Sequence, residues 1–149
     1  MSQVTAVRHT GLVVRDLEQS LMFYRDFLGL EEVSRNKETG DYIEKLVGIK
    51  GAELCWVKLR SSSGSLIELL QYLVPASNAG KVENSPSDTL GCSHVAFTVQ
   101  SLEVVMQGLL QRGLSTVSPP LPSPDGKVKV LYCHDPDGIL LELVEENHE

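Results

Sequence analysis

Apolar positions along this chain switch between two spacings, and each switch predicts an element. Residues 4–14 are β-branched and apolar and predict a strand. Asp16 then offers an N-cap, with Gln19 three residues on completing a capping box. Leu17, Leu21, Tyr24 and Leu28 recur at helical spacing, and Gly29 ends that helix. Residues 30–37 read as a second strand and 41–47 as a short inserted helix. Strands follow at 52–60 and 66–73, joined by a Ser-Ser-Ser-Gly turn at 61–64. The polar stretch after them holds Pro75 and Pro86 and reads as a linker, 74–90. Beyond it, 92–99 predicts a strand, Ser101 caps a helix ending near Gly113, 115–118 is a short strand, and the proline-rich 119–124 is a loop. Residues 127–134 and 139–145 form a hairpin around Asp135, Pro136, Asp137 and Gly138. Each half is therefore βαβββ, and the class is α+β: one domain, 1–149, with module one at 1–73 and module two at 91–149.

The two halves repeat at the level of residues. With an offset of 85, HTGLVV from His9 falls on HVAFTV from His94, and Asp16-Leu17-Glu18 falls on Ser101-Leu102-Glu103. After the loss of one residue, Leu28-Gly29-Leu30 matches Arg112-Gly113-Leu114. A G-x-x-x-E-L motif closes each half, at 64–69 and 138–143. Each half thus carries one His near its start and one Glu near its end. Glu68 lies 59 positions after His9 and Glu142 48 positions after His94, so the first half holds about 11 extra residues, which 40–51 accommodates.

Strand alternation assigns faces. Val95, Phe97 and Val99 share the face that receives the following helix, leaving His94, Ala96 and Thr98 on the other. Ile67, Leu69 and Leu73 take the helix side, and Glu68, Leu70 and Tyr72 the opposite one. In the last strand Leu141 and Leu143 oppose Leu140, Glu142 and Val144. Glu68, Glu142 and His94 are therefore expected mid-strand on the face away from the helices, and His9 follows by the repeat. A carboxylate inside an apolar strand is costly unless paired, hydrogen-bonded or bound to metal. Taken singly, a strand His or Glu is most simply a hydrogen-bonded or solvated side chain. Four of them in matching repeat positions point to one shared cation, and imidazole with carboxylate suits zinc, nickel, cobalt, iron or manganese.

Composition narrows the partners. A formal net charge of -7 and a pI near 5.1 repel phosphate backbones, so nucleic acid is not expected. No apolar run is long enough to span a bilayer, and residues 1–9 lack a signal-peptide core, so no membrane association and a cytoplasmic location are expected. Cys55, Cys92 and Cys133 form no C-x-x-C pair and read as three reduced, partly buried thiols.

The segments HTGLVVRDLEQSLMFYRDFLGL (9–30), SLIELL (65–70), SHVAFTV (93–99) and DPDGILLELVEE (135–146) together resemble the vicinal oxygen chelate superfamily, which includes glyoxalase I, methylmalonyl-CoA epimerase, extradiol dioxygenases and bleomycin or fosfomycin resistance proteins. The resemblance covers nearly the whole chain. It implies tandem βαβββ modules whose curved sheets form a cleft around one divalent metal, with His9, Glu68, His94 and Glu142 at the ligand positions of the glyoxalase–epimerase branch. It further implies an isomerase, epimerase or lyase that stabilises an enediolate of a small vicinal-oxygen substrate, with Glu142 or Glu68 moving the proton. A homodimer is expected from the family alone. Two alternatives are an iron-dependent extradiol dioxygenase, which the fourth ligand Glu68 disfavours, and a non-catalytic small-molecule or antibiotic-binding protein, which leaves the four polar residues unexplained. Val13 stands where glyoxalase I has a glutathione-binding Arg, and Leu70 and Tyr72 where it has Thr and Asn. IELLQYLVP (67–75) is closer to the epimerase branch, whereas CHDPDG (133–138) is closer to glyoxalase I.

Overall fold

The structure, a computed structural model, describes residues 2–77 and 83–148. It divides into two compact units, Met1–Gly80 and Lys81–Glu149. The first contains β1 (Thr10–Val13), α1 (Leu17–Leu21) continuing as a π-helical segment (Met22–Phe27), β2 (Glu31–Glu38), α2 (Asp41–Val47), β3 (Glu53–Arg60) and β4 (Leu66–Val74). The second contains β5 (Val95–Thr98), α3 (Leu102–Gln111), β6 (Leu121–Pro122), β7 (Val128–His134) and β8 (Leu140–Glu146). The two sheets have equivalent orders, β1-β4-β3-β2 and β5-β8-β7-β6. In each, the first strand runs parallel to the last and the other pairs are antiparallel. This is the expected α+β arrangement of two tandem βαβββ modules, with α2 as the extra element of the first.

Local chemistry explains the helices. Asp16 accepts a hydrogen bond from the Gln19 amide at 3.1 Å, and Ser101 accepts one from the Val104 amide at 3.3 Å. The sheets supply a second cap to each helix. Gln71 Oε1 accepts from the Leu17 amide at 2.8 Å, and Glu145 Oε2 accepts from the Leu102 amide at 2.7 Å. These capping side chains stand three residues after Glu68 and Glu142, on the opposite strand face, so each sheet fixes its helix with one face and presents a glutamate from the other. The first core gathers Leu21, Tyr24, Val57, Leu59 and Leu69, all almost fully buried. The second gathers Leu102, Leu109, Leu131, Cys133, Leu141 and Leu143.

Several strand limits differ from expectation for one reason: a strand extends only as far as its partner. Residues 4–9 are not strand; Val4 and Val7 are exposed, because β4 begins at Leu66 and the β1 ladder opens at Thr10 with Ile67. Residues 92–94 likewise precede β5, because β8 starts at Leu140 after its turn. His94 is therefore not mid-strand; both histidines stand immediately before the parallel strand of their unit. The 115–118 strand reduces to a single bridge from Thr116 to Cys133, and the short strand β6 lies in the segment expected to be loop. Val74, expected to open the linker, ends β4, and Leu73 is exposed rather than part of the core. Residues 78–82 of the expected linker lie outside the described residues. The helical periodicity also passes over Phe23. A π-turn, in which the Leu28 amide reaches the Phe23 carbonyl at 2.9 Å, buries Phe23 beside Tyr24 with their rings 4.9 Å apart.

Candidate metal centre

Each unit builds a histidine–glutamate pair by the same construction. In the first, Gly11 of β1, Glu68 of β4 and Lys58 of β3 stand in register across the sheet. In the second, Ala96 of β5, Glu142 of β8 and Tyr132 of β7 stand in register at the equivalent places. The residue beside each glutamate is small, Gly11 or Ala96. The histidine lies two residues before it, on the side of the backbone that faces the glutamate. His9 Nε2 is 3.7 Å from Glu68 Oε2, and His94 Nε2 is 2.9 Å from Glu142 Oε2. The structure thus pairs the four expected ligands two by two, one pair within each unit. Among the described residues no group of three or more His, Cys, Asp or Glu that could hold a metal ion is formed.

The pairs differ in what supports them. His94 Nδ1 lies 3.1 Å from Ser93 Oγ, and that hydroxyl donates to the Ser87 carbonyl at 2.8 Å. With its hydrogen committed, Ser93 accepts from Nδ1–H, which fixes the ring with Nε2 toward Glu142. Tyr132 packs edge-on to the His94 ring with centroids 5.2 Å apart and hydrogen-bonds Glu142. Burial, and then the adjacent Glu142 charge, raise the Tyr132 phenol above its ordinary pKa, so it donates to the carboxylate. In the first unit, by contrast, His9 Nδ1 is buried without a hydrogen-bond partner among the described residues. Glu68 has a cation beside it instead: Lys58 Nζ is 3.9 Å from Oε2 and 4.9 Å from the centre of the Trp56 ring.

A divalent metal suits this donor set. Imidazole and carboxylate are borderline-to-hard ligands, and each pair turns an imidazole Nε2 toward a carboxylate oxygen. The three cysteines do not join the set. Cys55 is half-buried, Cys92 exposed and Cys133 buried, and burial pushes the Cys133 thiol up to about 12, which keeps it protonated and inert. His134 ends β7 and donates to the Ser85 carbonyl at 2.8 Å, a structural role.

Residues 6–143 match the sequence model of the Glyoxalase/Bleomycin resistance protein/Dioxygenase superfamily. The chain belongs to that superfamily. Among curated proteins, it is 28% identical to a probable lactoylglutathione lyase of Vibrio parahaemolyticus over 93% of this chain and 89% of that one. Among solved structures, a glyoxalase family protein of Bacillus cereus superposes with a TM-score of 0.88 at 23% identity, over 99% of this chain and 97% of that one. A fosfomycin resistance protein of Listeria monocytogenes superposes with a TM-score of 0.61 at 18% identity, over 97% and 96%. The structural likenesses establish the superfamily's fold. No described helix is long and apolar enough to cross a membrane.

Lys58, Tyr132 and Ser93 were not singled out from the sequence. A signal for the first two was present. Lys58 lies ten positions before Glu68 and Tyr132 ten before Glu142, symmetrically about the two predicted turns, so hairpin register alone places each opposite its glutamate. Nothing in the sequence pattern marks Ser93.

Proposed function

We propose that this chain is a divalent-metal-dependent isomerase, epimerase or lyase of the glyoxalase type, acting on a small substrate with two adjacent oxygens. The observation that carries this reading is the duplicated His–Glu pair, set on the same row of each sheet. His9, Glu68, His94 and Glu142 are the residues that would hold the metal. When bound, the cation supplies Lewis acidity to a substrate carbonyl and lowers the cost of negative charge next to it.

The protein's own groups then handle the proton. Glu142 is the better placed base: its neighbour across the sheet is the Tyr132 phenol, where Glu68 has the Lys58 ammonium. It takes the proton from the carbon beside the polarised carbonyl and returns it to the same or the neighbouring carbon. The His94 ring, fixed through Ser93 and packed on Tyr132, keeps that carboxylate in place. Glu68, with the Lys58 ammonium alongside, serves mainly as a ligand. The resemblance in name to lactoylglutathione lyases supports hemithioacetals as first substrates, and the epimerase-like 67–75 segment supports 2-acyl-CoA thioesters.

The test is incubation of the metal-loaded protein with both substrate classes in deuterated water. Conversion with deuterium at the carbon next to the carbonyl is expected. Glu142→Ala should lower its rate by about a hundredfold or more, the usual worth of a positioned general base, with the circular dichroism spectrum unchanged. A fully active Glu142→Ala protein, or no exchange with either class, would contradict the reading.

A further inference from the structure

We infer that Lys58 is a specificity-determining residue that recognises a carboxylate carried by the substrate next to its reacting oxygens; this rests on the metal-dependent reading above. The two units are built alike, so the position opposite each glutamate can be compared directly. Glu142 faces a neutral phenol and Glu68 faces an ammonium. A cation is thus not required for a glutamate to occupy this row, and Lys58 needs another explanation.

Its geometry supplies one. At 3.9 Å from Glu68 Oε2 the ammonium is beyond hydrogen-bond distance, and among the described residues it makes no hydrogen bond. Its position is nevertheless defined, because the Trp56 ring lies 4.9 Å away and the side chain is only 31% exposed. Three N–H donors therefore stand on the site face with no acceptor filled. The other charges on that face are already engaged. Glu38 accepts from the Trp56 indole N–H at 3.2 Å, and Arg60 pairs with Glu31 at 3.1 Å.

Charge balance leads to the same conclusion. A divalent cation held at Glu68 would take up that carboxylate's charge and leave the Lys58 ammonium without a counter-ion. A ligand that carries a negative charge supplies one, and a neutral ligand does not. In a chain with a net charge of -7, a locally positive site also selects anions against the field of the rest of the surface. Among substrates with two adjacent oxygens, this favours a 2-hydroxy or 2-oxo acid, or a derivative that keeps its carboxylate adjacent to the second oxygen, over a hemithioacetal that lacks one.

Glycolate and glycolamide make a matched pair of probes: the same skeleton and two adjacent oxygens, with and without the charge. Their binding is to be titrated by NMR on metal-loaded wild type, Lys58→Met and Lys58→Arg, with the metal content of each sample measured. Wild type should prefer glycolate. Lys58→Met should weaken glycolate about tenfold, the equivalent of one charge-assisted hydrogen bond, while leaving glycolamide within about twofold and metal content unchanged; Lys58→Arg should restore most of the loss. Equal effects of Lys58→Met on both probes, or none on either, would overturn the inference while leaving the metal site standing. A wild type that binds no metal would instead overturn the metal-dependent reading. The glycolate titration on that protein would still judge Lys58, its loss in Lys58→Met supporting the anion contact and its persistence refuting it.

Discussion

The two units place a histidine and a glutamate by one construction and then surround them differently. In the second, the His94–Glu142 contact is 2.9 Å, and Ser93 and Tyr132 supply hydrogen bonds to both partners. In the first, the His9–Glu68 contact is 3.7 Å, His9 Nδ1 has no partner among the described residues, and Lys58 adds charge without a hydrogen bond. Duplication therefore preserved the backbone register that aims the ligands, while the supporting side chains diverged. The second pair is pre-organised by its neighbours, and the first is left to be organised by what binds. In the reaction proposed above, that division would let one carboxylate move a proton while the other holds charge.

The largest way to break this comparison is to remove the support of the second pair. Ser93→Ala should lower divalent-metal affinity about tenfold, the lower end for loss of a group that orients a ligating imidazole, and Ser93→Thr should recover it. Arg8, the repeat equivalent of Ser93, makes no hydrogen bond to His9 Nδ1, which has no partner among the described residues, so Arg8→Ala should leave affinity unchanged. Competition against a chromogenic chelator reads all three, and equal effects of Ser93→Ala and Arg8→Ala would erase the distinction between the pairs. A smaller effect concerns the helix face of the first unit, where Glu32 sits between Arg35 and Arg25. Arg35, and then Arg25, hold the Glu32 carboxyl down at about 2 from an ordinary 4.5. Its contribution is therefore present above pH 4.5 and lost as pH falls from 4.5 toward 2. Glu32→Gln should cost about 1 kcal/mol at neutral pH, since the pair is partly solvated. Urea unfolding across that range should show the difference from wild type shrinking with acid; a constant difference would mean the ion pairs do not carry it.

How far the sequence reveals this arrangement follows the range of each interaction. The caps at Asp16 and Ser101 are readable because they involve neighbours three residues apart. The faces of Glu68 and Glu142 are readable because alternation is a property of the strand itself. The starts of β1 and β5 are not, since each is set by where a strand more than forty residues away begins. That is why residues 4–9 and 92–94 read as strand, and why both histidines were placed inside a strand they only precede. Phe23 was missed because a π-turn departs from the 3.6-residue period on which the reading depends. The four ligand candidates were legible through the repeat, whereas Ser93 acts through a contact to Ser87 that has no periodic signature.

The central proposal is that His9, Glu68, His94 and Glu142 are metal ligands. Elemental analysis of wild type and Glu68→Ala, each reconstituted with a divalent metal and freed of excess, tests it most directly. The account predicts one metal per chain in wild type and a large loss in Glu68→Ala. Metal retained in full without Glu68, or none in either protein, would contradict it.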